Sequence, residues 1–421
     1  MLRNIVSSIF RRQTGPYVHL SRKQLEDRLA TLETIQNKRK NNLKSPTKIT
    51  ATKVQPIFNG DQQQQQQQQR IALQIAYLGW NYYGFTSSNI QNEETMPTVQ
   101  GQLMKALLQT KLIQDPFTCD FSLSGRTDTG VSGVGQIVAL DVRGKKQLPY
   151  LRILNSALPP DIRVLAWSPV ANTFNARFDC LSRTYHYYFP TKGLCIDSIK
   201  KATSYLVGEH DFRNFCKFNP SKNLVHYRRT ILSANVSVLN PIGGEGEGEF
   251  ARFELKGTAF LWHQVRCIVS ILLLVGQRLE SPSIVQWLLD VDQVPGKPEY
   301  PLASGLPLIL FDCEYNDQEH FTWYREQTHR TKDHFQLLWS EQMTKALLYQ
   351  SFLNTLSSSS SNEDISMPSK VKRVQLGASK EIWTTHYKPL KNRRRDDPYS
   401  IKQQKYNTLD IKEKEEIKDL I

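Results

Sequence analysis

The chain lacks a Cys-x-x-Cys pair, any metal-ligand rhythm among its cysteines, and any apolar run long enough to span a bilayer. Its six cysteines, at 119, 180, 195, 216, 267 and 313, are scattered, which reads as small buried hydrophobes in a reducing compartment rather than a disulfide framework. The longest apolar run, Cys267 to Val275, is broken by Ser270 and falls short of the ~20 residues a membrane helix needs. No acidic residue precedes Glu26. What is present is positive charge: 421 residues carry a net +14, so a polyanionic partner is expected. That charge is uneven. Residues 1–70 hold 13 Lys/Arg against 4 Asp/Glu, a net +9, leaving +5 for the remaining 351. A nucleic-acid site in the folded part must therefore be a local patch.

Residues 1–25 place Ile5, Val6, Ile9 and Phe10 on one side of a basic segment. A mitochondrial transit peptide and a disordered basic arm both fit that pattern, and both readings stay open. Leu20, Leu25, Leu29 and Leu32 suggest a short charged helix over 20–40. Residues 41–70 end in eight glutamines, Gln62 to Gln69, a homopolymer that buries no apolar surface and reads as a linker.

The folded region is expected to begin at Ile71, where Ile71, Leu73, Ile75 and Tyr77 alternate as in a strand. Thr98 can cap a helix carrying Val99, Leu103, Ala106 and Leu107, and a second strand follows at 135–142. A similar block recurs downstream: a strand at Thr184–Phe189, a helix from Ser198 stopped by Gly208, and strands at 232–238 and 251–256 around an exposed Gly/Glu-rich loop. An apolar helix is expected over Leu261–Val275, another opening at Ser281-Pro282, and a last strand over Leu308–Tyr315. Two such blocks suggest an α+β protein, with helices on one face of a mostly antiparallel sheet. Boundaries fall at 70, 190 and 316: an N-terminal extension, two halves of one domain, and a C-terminal extension over 317–421 that reads as peripheral and partly disordered.

Asp128 lies in the turn-rich segment Ser124-Gly125-Arg126-Thr127-Asp128-Thr129-Gly130, before a strand. On spacing alone this reads as a turn whose Asp bonds its own backbone. An aspartic-protease reading of Asp-Thr-Gly fails, because that chemistry needs two carboxylates sharing a proton without a cation beside them. Here Arg126 is adjacent and no second Asp-Thr-Gly occurs. No clustered Asp/Glu pair accompanies Asp128 either, which disfavours a metal-dependent nucleic-acid enzyme.

Several segments together resemble the tRNA pseudouridine synthase A family. Gly125 to Val131 resembles its active-site motif, Tyr77-Leu78-Gly79-Trp80-Asn81-Tyr82-Tyr83-Gly84-Phe85 its first strand and loop, and Phe174-Asn175-Ala176-Arg177-Phe178 with Ser182-Arg183-Thr184-Tyr185 its second motif. Gly208-Glu209-His210-Asp211-Phe212, Phe260-Leu261-Trp262-His263-Gln264-Val265-Arg266 and Gly305-Leu306-Pro307-Leu308 follow in family order. The opening Leu-Gly-Trp-Asn-Tyr-Tyr-Gly-Phe and the tail from Tyr387 resemble the eukaryotic branch acting on tRNA positions 38 and 39. One departure is Thr129, where the family usually carries Ala or Lys.

The resemblance implies two ferredoxin-like (RRM-like) halves sharing a central sheet, and isomerisation of uridine to pseudouridine without a cofactor. It implies Asp128 as the catalytic carboxylate, paired with Arg266, and Arg126 as a backbone- or phosphate-directed neighbour. Tyr185 would stack on the target uracil and serve as an acceptor for its C5 proton, and Leu308 would line the substrate site. His210 and His263 read as structural or RNA-contacting. The expected partner is tRNA, with a homodimer as the assembly, no membrane, and nucleus and cytoplasm as compartments; the basic N-terminus adds the mitochondrion. A catalytically silent tRNA-binding protein on the same fold is the other class left open.

Overall fold

Ladder hydrogen bonds, rather than side-chain burial alone, decide where the first strand starts. In the computed structural model β1 spans Gln68–Tyr77, so the last two glutamines of the tract already pair with Arg143 and Val142. The linker reading of that tract fails there, because backbone pairing needs no apolar side chain. The structure describes residues 68–86, 95–144, 148–219, 226–240, 250–316, 321–326, 328–359, 372–377 and 380–409. All belong to one compact unit, Gln65–Ile421. The basic arm, the charged helix and most of the Gln tract lie outside them, as does the loop at 241–249.

The chain proceeds through α1 (Val99–Gln109), β2 (Ser122–Leu123), β3 (Ser132–Arg143), α2 (Tyr150–Ala157) and β4 (Ile162–Pro169). It continues with β5 (Ser182–Pro190), α3 (Ile196–Ser204), β6 (Gly208–Asp211), β7 (Arg228–Val238) and β8 (Phe250–Gly257). Next come α4 (Gln264–Gly276), α5 (Ile284–Leu289) and β9 (Leu308–Glu314). Thr98 caps α1 as expected, its hydroxyl accepting from Gly101 N at 3.0 Å. Several boundaries move. Gly208 does not stop α3 but opens β6, with φ +109°. α4 starts at Gln264 rather than Leu261 because His263 takes the left-handed conformation (φ 59°). α5 starts at Ile284, after a turn in which Ile284 N donates to Ser281 O.

The sheet runs β4-β1-β3-β9-β5-β8-β7-β6, with β2 also on β3. Its ladders are antiparallel except one: β3 and β9 pair in parallel through Ser132↔Ile309 and Gly133↔Leu310. On one side of this seam the order is β4-β1-β3-β2; on the other, β9-β5-β8-β7 repeats it, with β6 added at the edge. Gly135 allows the seam to close, since a Cβ there would stand 2.6 Å from Asp312 Cα and press on the Phe311 carbonyl.

Each side has its own core. Ile71, Leu73 and Ile75 pack with Val99, Leu103 and Leu107 of α1 and with Tyr150 and Leu154 of α2. Beyond the seam, Tyr187, Phe189, Phe253 and Leu255 pack under α3 and the nearly all-buried α4. At about 1.5–3 kcal/mol for each large apolar side chain removed from water, these two clusters dominate the stabilising side of folding. A third cluster, with Phe174 and Tyr315 buried and Phe321 and Trp323 packed against it, draws Ala72, Ile137 and Ala139 from the face of β1 and β3 that looks away from α1 and α2.

The region beyond residue 316 is not merely peripheral. A 32-residue helix, α6 (Thr328–Ser359), is followed by a hairpin of β10 (Lys372–Gln375) and β11 (Glu381–Thr384), then α7 (Tyr399–Thr408). Val374, Leu376, Leu390 and Tyr399 are buried in the same core as α4. α6 itself leaves Leu347, Tyr349, Phe352 and Leu356 more than 60% exposed. None of the described helices is long and apolar enough to cross a membrane.

Candidate active site

The loop from Ser124 to Val131 enters β3 at the seam, and backbone ties hold it from both sides. Gln136 Nε2 donates to Gly125 O at 2.6 Å, and Gln136 Oε1 accepts from Gly125 N at 3.2 Å. The Tyr77 hydroxyl bonds Thr127 Oγ1 at 2.9 Å, Phe85 N donates to Thr127 O, and Gly130 N donates to Tyr82 O. The segment Tyr77–Phe85 thus supports the loop that carries Asp128. From the other side, Arg183 donates Nε and one terminal nitrogen to Ser124 O, at 3.2 and 2.9 Å. Its remaining bonds reach the carbonyls of Arg177, Cys180 and Thr258, so Arg183 serves as a brace between loops.

Asp128 emerges from this frame with one fifth of its side chain exposed. Burial pushes its carboxyl up to about 6, against the opposing pull of Arg266 and then Lys217. The group is therefore mostly ionised at neutral pH, in a site where ionisation is costly. Within ion-pair range among the described residues it meets His263, Nε2 to Oδ1 at 3.5 Å. Burial and the cations Arg266, Lys217 and Lys297 press His263 down to about 3, so the ring is neutral and the contact is not an ion pair.

The sequence reading pairs Asp128 directly with Arg266, and that ion pair is not formed. Arg266 Nε instead donates to Ala303 O at 2.9 Å. Gly305 lies against both partners: a Cβ there would stand 2.8 Å from Thr129 O and 3.6 Å from Arg266 Cζ. The guanidinium thus acts on the carboxylate through space, from behind a strip of backbone that only a glycine can thread.

Tyr185 sits on β5 with its ring edge-on to Phe260, centroids 5.1 Å apart. Its hydroxyl lies 3.7 Å from where a Gly125 Cβ would stand, which places it beside the Asp128 loop. Burial raises its pKa, Cys313 and Asp128 add to the rise, and the hydroxyl keeps its proton at neutral pH. Arg126 is exposed and has no ion pair among the described residues. Leu308 is placed differently from expectation: it is 3% exposed and lies opposite Tyr187 within the core. On the same strand Leu310, not Leu308, faces Gly125. His210 is far from this group in role, bonding Val207 O at 3.0 Å.

Sequence reasoning missed Lys217, because only folding brings the segment after β6 against α4. In the Phe-Leu-x-His-x-Val-Arg run, His263 caps α4 and Arg266 lies in its first turn, so both stand at the helix start that meets the Asp128 loop.

The site therefore joins a carboxylate loop from one side of the seam to an aromatic and a cation from the other. A profile of the tRNA pseudouridine synthase family matches residues 202–316. The tRNA pseudouridine synthase A of Methanosarcina acetivorans is 36% identical over 222 residues, spanning 53% of this chain and 75% of that protein. The chain belongs to the tRNA pseudouridine synthase family. It is also similar to two proteins named tRNA pseudouridine(38/39) synthase. The Homo sapiens protein is 39% identical over 312 residues, covering 68% of this chain and 63% of its own length. The Saccharomyces cerevisiae protein is 43% identical over 267 residues, covering 59% of this chain and 58% of its own length. The chain thus spans less than two thirds of either protein.

Proposed function

We propose that the protein converts uridine to pseudouridine in the anticodon stem-loop of tRNA, at positions 38 and 39, with Asp128 as the catalytic carboxylate. The observation that carries this reading is the buried, cation-compensated Asp128 on a loop braced from two sides. Pseudouridine formation breaks the C1′–N1 bond, turns the uracil and forms a C1′–C5 bond, with the C5 proton leaving last. Asp128 acts by attacking C1′ or by taking a proton from C2′, and either route needs it ionised. Arg266 and Lys217 favour that state. The target base must leave its stack to reach the loop, and Tyr185 is the ring that receives it. Because the Tyr185 hydroxyl is protonated, it accepts the C5 proton only while passing its own onward, and the released Asp128 carboxylate is a suitable acceptor. Arg126, exposed at the rim, is assigned to a phosphate.

The repeated strand order on the two sides of the seam supports two ferredoxin-like halves. We further propose that the protein works as a homodimer, for which the exposed apolar residues of α6 offer a surface. Nucleus and cytoplasm are the proposed compartments, with the N-terminal arm able to add the mitochondrion.

The decisive assay incubates the purified protein with unmodified tRNA transcripts and maps pseudouridine by position. Product is expected at 38 and 39, and Asp128→Ala should fold and bind tRNA yet lose at least ~10³ in rate, high in the range for losing an acid–base group. Near-normal conversion by Asp128→Ala would refute the assignment.

A further inference from the structure

The hairpin of β10 and β11 is clamped to the half of the molecule that carries Arg266. Gln277 exchanges two bonds with the Gln375 backbone, donating Nε2 to its carbonyl at 3.0 Å and accepting from its N–H at 2.8 Å. Ser304 N donates to Leu376 O, one residue from the carbonyl that holds Arg266. Leu376 is fully buried and Gly377 packs on the Tyr187 hydroxyl, two residues from Tyr185. These contacts bring Lys380 to the edge of the site.

Lys380 Nζ donates to Leu302 O at 2.9 Å, and the residue remains exposed. Burial, then the charges of Arg266 and Lys217, hold it below the usual lysine range, which marks the three cations as neighbours. Lys217 is exposed as well, its ammonium 5.5 Å from the Trp262 ring. Neither lysine has an ion pair among the described residues. Arg266 and Lys217 act on the Asp128 carboxylate, and Lys380 stands beside Arg266, the two bonded to the successive carbonyls of Leu302 and Ala303. Lys217 and Lys380 face solvent without an acidic partner among the described residues, and like charges converge at a cost unless an anion joins them.

We propose that Lys380, together with Lys217, grips a backbone phosphate of the RNA strand entering the Asp128 loop, making the hairpin beyond α6 a working part of the substrate site. The inference rests on the tRNA reading above. Lys217 comes from the segment after β6 and Lys380 from a part of the chain more than 160 residues later, so a strand bridging both can bind only when the hairpin is docked.

The test compares Lys380→Gln and Lys380→Arg in the full chain, measuring tRNA affinity across a salt series together with melting temperature. The Gln variant is expected to bind more weakly, with the slope of log K against log salt reduced by ~0.7, the value for one single-strand phosphate contact. Arg should restore affinity and slope, because it keeps the charge. An unchanged slope with a lowered melting temperature would overturn the proposal and leave Lys380 as a prop for Leu302. An unchanged slope and unchanged melting temperature would overturn it too. If the wild-type protein forms no pseudouridine in tRNA, the functional reading fails by itself, while the salt slope still reports on Lys380.

Discussion

The strands from β1 to β4 and those from β5 to β9 follow one order, yet they bring opposite things to the seam. The first set delivers a negative group on a loop whose own hydrogen bonds hold it still. The second delivers Arg266 on α4 and the Tyr185 ring on β5, both anchored by the large core around α4, with Lys217 on the segment after β6. Neither set alone makes a workable site. The carboxylate without the cations would protonate more readily, and the cations without the carboxylate would repel one another. The costly burial of Asp128 thus lies on one side of the seam and its compensation on the other, so the site exists only where they meet.

The largest break in that comparison comes from the ring. Tyr185→Phe is expected to bind tRNA normally but turn over at least ~10²-fold more slowly, the lower bound for losing an acid–base group. Tyr185→Leu should also lose about 1–3 kcal/mol of hold on the flipped base. Single-turnover rates with melting curves decide the matter, since a fully active Phe variant removes the proton role and a fully active Leu variant removes Tyr185 from the site. A smaller effect probes compensation. Wild-type rate should rise with pH through about 6 as Asp128 ionises. In Arg266→Gln that rise should move up by about one unit, the low end for a nearby opposite charge, because the through-space contact is indirect. A pH–rate profile with an unmoved rise would show that Arg266 is not the compensating cation.

A further effect is on stability, and its sign follows from the raised carboxyl. Folding favours the protonated form, so the ionised form destabilises; the penalty is absent below about 3.8 and complete above about 6. Asp128→Asn should therefore melt higher than wild type at pH 8, by ~3 kcal/mol at most on 1.36 kcal/mol per unit, and equally at pH 3.5. A constant difference at both pH values would mean that the charge is not what burial penalises.

Much of this was legible in the residues. Alternation at Ile71–Tyr77 and the Thr98 cap placed β1 and α1, and the motif order placed Asp128, Tyr185 and Arg266 in one site. α2 and β4 went unseen because eight-residue elements give a period too few repeats, and Pro149 with Pro159 and Pro160 reads as loop. α6 was hidden for another reason: its apolar residues do not keep to one stripe, so no helical period stands out. Leu308 was misplaced because Leu308 and Leu310, two residues apart, share a face of β9, and only long-range packing decides which of them meets the Gly125 loop. Lys217 and Lys380 reach the site only through long-range packing, which leaves no local mark.

Gly135 has a meaning that a geneticist would notice first. A methyl group there meets backbone, not a side chain that could swing away, so the two repeats would have to part slightly to admit it. Neither core would be breached and no reacting group would be lost. The distance between Asp128 and Arg266 would instead come to depend on how firmly the seam is held shut, which weakens on warming. Gly135→Ala is thus the kind of lesion that gives a heat-sensitive strain: modified tRNA at a cool growth temperature, unmodified tRNA at a warm one, and protein of normal abundance at both.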